Sequence, residues 1–403
     1  MNQTLAPDRG RLISPPFLVV TLSTFAYFLF VGMLNPVLPV FVEDDLGGGG
    51  VAIGAQVAAF SLAAIGVRPV IGMVGDRAGR RVLMLAGALL SAASGAALAG
   101  VDSLALLLVL RAVTGVGEAA LFVGAATLIA DLSPPHRRAE GTSYFSVAVF
   151  AGLGLGPLLG EGLSGDGRFD RAFLVAALFA LVSMGIALGA PHGRPADRSE
   201  SVVPGPAPRR RLAHPAAVGP GLVLAAGVAA LTTFLVFVPT YVDELGMAGA
   251  SGVFLLYSMV SLVIRAGFAT LPERLGLRRA ATVALLCLAI AGALAASWAS
   301  PVGLYSATVL IALGTAFLYP SLLAAAVAPV SDDERSQVVS GFTMFFEVGA
   351  VVGGLALGPL VALSDERAAF AGGGVLALAG LVAVRRWVQG SVPTPPARPL
   401  DCV

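Results

Sequence analysis

The sequence predicts an all-α polytopic membrane protein with twelve transmembrane helices in two six-helix pseudo-repeats. Three observations predict it: an apolar composition along the whole chain, arginines confined to alternate loops, and an internal repeat that aligns without a gap. The 403 residues are 57% hydrophobic and only 12% charged, with a mean hydropathy of +0.88. An ordinary soluble domain carries about 25% charged residues. Each span needs ~20 apolar residues, so twelve spans with short loops nearly exhaust the chain and leave no room for a large soluble domain.

Apolar runs place the helices at about 16–42, 50–74, 82–101, 104–132, 141–164, 171–191, 218–242, 250–271, 280–299, 302–329, 336–363 and 368–388. The first run is too long for a signal-peptide core and is read as an uncleaved helix. The chain contains no lysine, so arginine alone reports orientation. With the N-terminus inside, Arg168, Arg171 and Arg367 fall in outer loops, and Arg68, Arg111 and Arg265 fall inside helices. Every other arginine lies in a cytoplasmic segment. This positive-inside bias sets both termini in the cytoplasm. The lysine-free, alanine- and glycine-rich composition points to a high-GC bacterium and hence to its inner membrane.

The stretch 192–217 is rich in proline and arginine, with Pro195, Pro204, Pro206, Pro208 and Pro215. It reads as a cytoplasmic linker. The expected organisation is a six-helix bundle over 1–191, the linker 192–217, a second bundle over 218–390, and a cytoplasmic tail 391–403. A shift of 197 residues superposes the two bundles from about residue 68 to 156. Arg68, Arg77, Gly79 and Arg81 then fall on Arg265, Arg274, Gly276 and Arg278. Gly117, Gly152 and Gly156 fall on Gly314, Gly349 and Gly353. Alanines would coincide by chance in so biased a chain, but arginines and glycines in this order would not.

Composition also excludes several classes. A net charge of +1 offers no basic stripe for nucleic acid. Cys287 lies in an apolar run and Cys402 in the tail, so no disulfide is expected. No nucleophile–base set, metal-ligand cluster or Walker loop is visible, and His136, His192 and His214 all lie in loops. An enzyme is therefore not expected, and no cofactor or metal is called for.

The segment Gly72-Met-Val-Gly-Asp-Arg-Ala-Gly-Arg-Arg81 joins the second and third helices. It resembles the signature loop of the major facilitator superfamily, which implies a cytoplasmic gate built from Gly72, Asp76, Arg77, Gly79 and Arg80. Gly79 suits a tight turn with positive φ, and intramembrane Arg68 lies two turns from Asp76. The copy at 265–279 is degenerate, with Pro272-Glu273 in place of Gly-Asp.

Arg111 and Glu118 in the fourth helix are seven residues apart, about 10.5 Å along the axis. Each is expected to find partners on neighbouring helices, because a lone charge in hydrocarbon is costly. The arginine followed by spaced glycines resembles the family's fourth-helix motif, linked in its proton-coupled members to proton transfer. In the fifth helix, Gly152, Gly156, Pro157 and Gly160 resemble the motif of drug:proton antiporters within the superfamily. Small residues at this spacing let another helix approach closely. Glu161 replaces that motif's last glycine, and Ser143 occupies its upstream glycine position. Glu347 is a further intramembrane acid and breaks the repeat, since its counterpart is Phe150. The proton-coupling candidates are Glu118, Glu347, Arg111 and Glu161. Asp131 is assigned to the cytoplasmic cluster of Arg137 and Arg138.

The helices expected to line a cavity carry Tyr27, Asn35, Phe122, Tyr144 and Phe145 in the first half. Phe234, Phe237, Tyr257, Tyr319, Phe345 and Phe346 take this place in the second. They suit a large, mainly apolar site for lipophilic or cationic compounds. The expected function is a proton-coupled exporter of small amphipathic molecules working by alternating access, with substrate, protons and the bilayer as partners and a monomer as the working unit. A proton-coupled importer of a sugar or organic acid is the first alternative. A non-transporting membrane sensor is the second, weakened by the lack of an output domain.

Overall fold

The computed structural model describes residues 12–134, 137–192, 214–268, 275–330 and 332–388, and among them every regular element is helical. In chain order these are α1 (Pro15–Asp44), α2 (Gly50–Ala78), α3 (Arg80–Ala97), α4 (Leu104–Leu132), α5 (Arg138–Ser164) and α6 (Phe169–Ala187). The second series is α7 (Pro215–Glu244), α8 (Ser251–Gly267), α9 (Leu277–Ser297), α10 (Pro301–Val327), α11 and α12 (Glu366–Trp387). Helix α11 has three parts: a regular stretch Asp332–Val351, a π-helical stretch Val352–Ala356, and a final turn and a half, Gly358–Leu363. Eleven of these helices are long and apolar enough to cross a membrane. The twelfth, α8, has 17 residues and ends short of the expected position 271. The expected linker 192–217 and tail 391–403 fall almost wholly outside the described residues, as do Pro272 and Glu273.

Helix starts follow local chemistry. Proline opens α1, α7 and α10, where its missing N–H costs nothing. Ser300 caps α10 through Gly303 N at 3.1 Å, and Asp365 caps α12 through Ala368 N at 2.9 Å. Helix α2 runs four residues beyond its expected end at 74, so most of the signature segment is helical and Gly79 alone separates α2 from α3. Gly79 has φ +91° and ψ 157°, a conformation that side chains with a Cβ rarely adopt. Its repeat counterpart Gly276 has φ +83°.

The helices pack as two bundles. In the first, α1 lies against α5 and α6, and α3 against α4 and α6. In the second, α7 lies against α11 and α12, and α9 against α10 and α12. Aromatic clusters fill each bundle, Phe41 with Phe169 and Phe173 in one and Phe370 with Phe234 and Tyr241 in the other. Hydrophobic burial gives little drive between helices in lipid, so close contact at small residues matters more. A Cβ on Gly152 would lie 2.7 Å from Phe28 C, and one on Gly156 would lie 2.7 Å from Gly32 C. In the second bundle, Gly349 and Gly353 press α11 onto Ala225 and Ala229 of α7 in the same way. Both partners are also related by 197 residues, so the glycine seam belongs to each half's internal packing.

The bundles meet along two junctions, α2 with α11 and α5 with α8, and also where α1 touches α7. At the end of the molecule away from Gly79, Gly50 abuts Gly358 and Val361. Among the described residues, α4 makes no comparable contact with α10 or α11.

Candidate functional site

The charged centre of the molecule lies where α2 meets α11. Arg68 Nη2 donates to Glu347 Oε1 at 3.3 Å, and Arg68 Nη1 donates to Thr343 Oγ1 at 3.1 Å. The pair links the two bundles, with 11% of the Glu347 side chain and 31% of the Arg68 side chain exposed. Ser61, buried two turns before Arg68 on α2, stands within electrostatic reach of the Glu347 carboxylate. Arg68 thus turns away from the signature loop toward the other bundle. The side chain of Asp76, its expected companion, lies outside the described residues.

Glu118 stands on the adjacent α4 within electrostatic range of both Glu347 and Arg68. No hydrogen bond to its carboxylate is found among the described residues. Arg111 takes partners from α2: its Nε donates to Gln56 Oε1 at 2.8 Å, and its guanidinium carbon lies 4.7 Å from the centre of the Phe60 ring. Arg111 and Glu118 therefore look to different neighbours, as their spacing along one helix face requires. Tyr27 is fully buried and hydrogen-bonded to Ser91 at 2.8 Å, and it feels the charges of both Glu118 and Arg111.

Glu161 is not gathered into this centre. Its carboxylate accepts from Ala250 N at 2.6 Å and from Ser251 N at 2.9 Å. It therefore caps the start of α8, across the second junction and at the end away from Gly79. Two N–H donors at a helix start favour a negative charge there. The run from Gly152 to Gly156 serves two faces: Gly152 and Gly156 meet α1, whereas a Cβ on Gly154 would lie 2.6 Å from Ser258 Cβ of α8. Pro157 sits inside α5, and the same register in α11 falls within the π-helical stretch 352–356.

At the Gly79 end, Arg80 pairs with Asp131, so Asp131 joins the signature loop and not Arg137. Arg137 instead pairs with Glu140 at 2.7 Å. A Cβ on Gly79 would lie 2.7 Å from His192 O, which places the loop against the chain just after α6. Gly72 and Arg77 lie in the last turns of α2, exposed.

The expected cavity aromatics divide into two groups. Phe122, Tyr144 and Phe346 are substantially exposed. Tyr27, Phe145, Phe234 and Phe237 are buried within their own bundles, and Phe345 packs on Gly221. The Tyr257 ring lies 6.3 Å from that of Phe150 across the α5–α8 junction, the Tyr319 ring meets that of Phe342 at 5.5 Å in a tilted contact, and Asn35 is half-buried in α1. The residues that reading by type alone passes over are Gln56, Ser61 and Thr343, each a neutral partner for a charge. Nothing in their local sequence marks them.

Repeated bundles of membrane-crossing helices, joined by a partly buried ion pair at their junction, make a polytopic helical membrane protein of the kind that transporters form. The chain belongs to the Major Facilitator Superfamily, whose family model matches residues 20–303 and 268–400. Among curated relatives, the quinolone resistance protein NorA of Staphylococcus aureus is 33% identical over 142 residues, which are 35% of this chain and 36% of that one. Multidrug resistance protein 1 of Bacillus subtilis (strain 168) is 28% identical over 165 residues, 41% of this chain and 42% of that one. These alignments span less than half the length of either relative. Among solved structures, the nucleoside transporter NupG superposes with a TM-score of 0.75 at 14% identity, covering 94% of this chain and 100% of that one. The human organic anion transporter MFSD10 does so with a TM-score of 0.69 at 20% identity, covering 92% and 100%. At these identities the structures report the fold alone.

Proposed function

We propose that this transporter is a proton-coupled exporter of small amphipathic compounds that works as a monomer by rocking its two bundles about the central charges. The observation that carries the reading is the Arg68–Glu347 pair, which bridges the bundles where Glu118 also lies. An ionised Glu347 attracts Arg68 and ties α11 to α2. A protonated Glu347 keeps a hydrogen bond from Arg68 but loses the attraction between opposite charges, so proton binding loosens the junction. Glu118, with its carboxylate unclaimed by a hydrogen bond among the described residues, is the second proton acceptor or the group that meets a cationic substrate. Export is favoured because partial relatives are a quinolone resistance protein and a multidrug resistance protein. The glycines of α5 add nothing to direction, since α11 repeats them. With both termini cytoplasmic, as the arginines call for, the end closed by Gly50, Gly358 and Glu161 faces outward and the conformation is inward-facing.

The test is transport in proteoliposomes under an imposed pH gradient, with ethidium and related dyes, comparing wild type with Glu347→Gln and Glu118→Gln. Dye movement opposite to the proton gradient, abolished in one variant, supports the reading and names the coupling acid. Dye movement that ignores the gradient removes proton coupling, and movement with the proton flow restores the importer.

A further inference from the structure

The repeat sets Arg265 of α8 in the position of Arg68, and Phe150 of α5 in the position of Glu347. The two pairs are in fact equivalent contacts. Arg68 reaches Glu347 across the α2–α11 junction, and Arg265 lies with its guanidinium carbon 4.8 Å from the centre of the Phe150 ring across the α5–α8 junction. One arginine has a carboxylate partner and the other has an aromatic face. Among the described residues no acid pairs with Arg265. A cation–π contact contributes about 0.5–2 kcal/mol, which does not replace the hydration that a guanidinium loses inside a membrane.

The surroundings of Arg265 hold hydroxyl groups but, among the described residues, no paired carboxylate. Its Nε is buried without a hydrogen-bond partner, and so is the hydroxyl of Ser258, a residue only 3% exposed. Ser261, 1% exposed, has at most the Tyr257 hydroxyl as a neighbour. Ser258, Ser261 and Arg265 are spaced three and four residues apart, so they share one face of α8. Tyr257 adds a hydroxyl 3.4 Å from that of Thr315 on α10. Tyr319 feels the charges of both Arg68 and Arg265, so the two arginines converge on the middle of the protein. Buried polar groups are normally satisfied, and an anion with oxygen acceptors would satisfy the guanidinium and the hydroxyls together.

We infer that Arg265, with Ser261 one turn before it on the same face of α8 and Phe150 beneath it, is a subsite for the carboxylate of an amphipathic aromatic substrate. The inference rests on the transporter reading above and adds, within its small amphipathic substrates, a class that carries a carboxylate next to a ring. The guanidinium supplies a charge-assisted hydrogen bond to the carboxylate. Phe150 and Tyr257 supply the apolar walls for the ring. A substrate that also bears an amine would present it to Glu118 or Glu347, on the other side of the centre, where it competes with a proton.

The experiment is equilibrium binding to the purified full-length protein, with no gradient, of radiolabelled naphthylacetate and indoleacetate and of their neutral amides. Wild type is expected to bind each carboxylate at least tenfold more tightly than its amide. Arg265→Gln is expected to bring the two to within about twofold, Ser261→Ala to give a smaller loss, and Arg265→Lys to restore part of the preference. Size-exclusion profile and melting temperature establish that each variant is folded. The inference is overturned if no carboxylate binds wild type better than its own amide, or if the preference survives in folded Arg265→Gln. Binding as expected with no proton exchange in liposomes would sink the proton-driven reading and leave the subsite standing.

Discussion

Removing Glu161 should open the end of the molecule that it now closes. Its carboxylate takes two backbone N–H groups from the first turn of α8, and a hydrogen bond to a charged group contributes about 1.5–3 kcal/mol net. Glu161 is half-exposed, and in an open state water would satisfy the same donors. A combined value near the lower limit, about 2 kcal/mol, is therefore appropriate, which corresponds to roughly a thirtyfold change in the closed-to-open ratio. Spin labels at Leu104→Cys and Val302→Cys, two exposed positions that start α4 and α10, would report that ratio by pulsed distance measurement. Cys287 and Cys402 are first replaced by serine. Glu161→Ala should lower the closed-to-open ratio about thirtyfold, and Glu161→Gln, which keeps one acceptor without the charge, should fall between. A change below twofold in Glu161→Ala would show that the cap does not hold the two bundles together.

Other perturbations follow from the same geometry. A double-mutant cycle of Arg68→Gln and Glu347→Gln should show a coupling of about 1–2 kcal/mol in thermal unfolding, reduced from the ~3–5 kcal/mol of a fully buried pair because Arg68 is partly exposed; additive effects would argue against a direct pair. Gly156→Val should cost about 1–3 kcal/mol by forcing α5 away from the backbone of α1, read as a lower melting temperature in detergent. Gly79→Ala should cost a similar amount through strain at φ +91° together with its clash on His192 O. Gly72→Ala, with open space around it, is the matched control.

The helices were legible because a membrane imposes one strong rule, a long apolar run, and α4 spans the very residues expected from it, 104–132. The end of α2 was less legible. Polar residues after 74 suggest a loop, but an exposed helical turn tolerates Arg77 well, and only the forced φ of Gly79 stops the helix. Among the charges, sequence singled out Arg68, Glu118 and Glu347 by their cost in hydrocarbon, but not that Arg68 and Glu347 meet. The repeat equates Arg68 with Arg265 and Glu347 with Phe150, so a contact in one half implies its equivalent in the other, but sequence alone supplies neither contact. The role of Glu161 was not legible, because its partners are backbone N–H groups that no side-chain pattern marks. Gln56, Ser61 and Thr343 were missed because a neutral polar residue in an apolar helix carries no signal until a charge is found beside it.

The π-helical stretch of α11 bears on how such a molecule can move. A π turn holds more residues than an α turn, and each residue of a regular helix accounts for about 100° of rotation. If Val352–Ala356 relaxes to regular helix while Gly358 stays pressed on Gly50, the Glu347 side of α11 must turn by about that angle. Glu347 would then swing off the face that meets Arg68 without any rigid tilt of the bundle. The helix is in effect a screw with one slack thread, and slow amide exchange across 352–356 in one conformation but not in the other would show the thread being taken up.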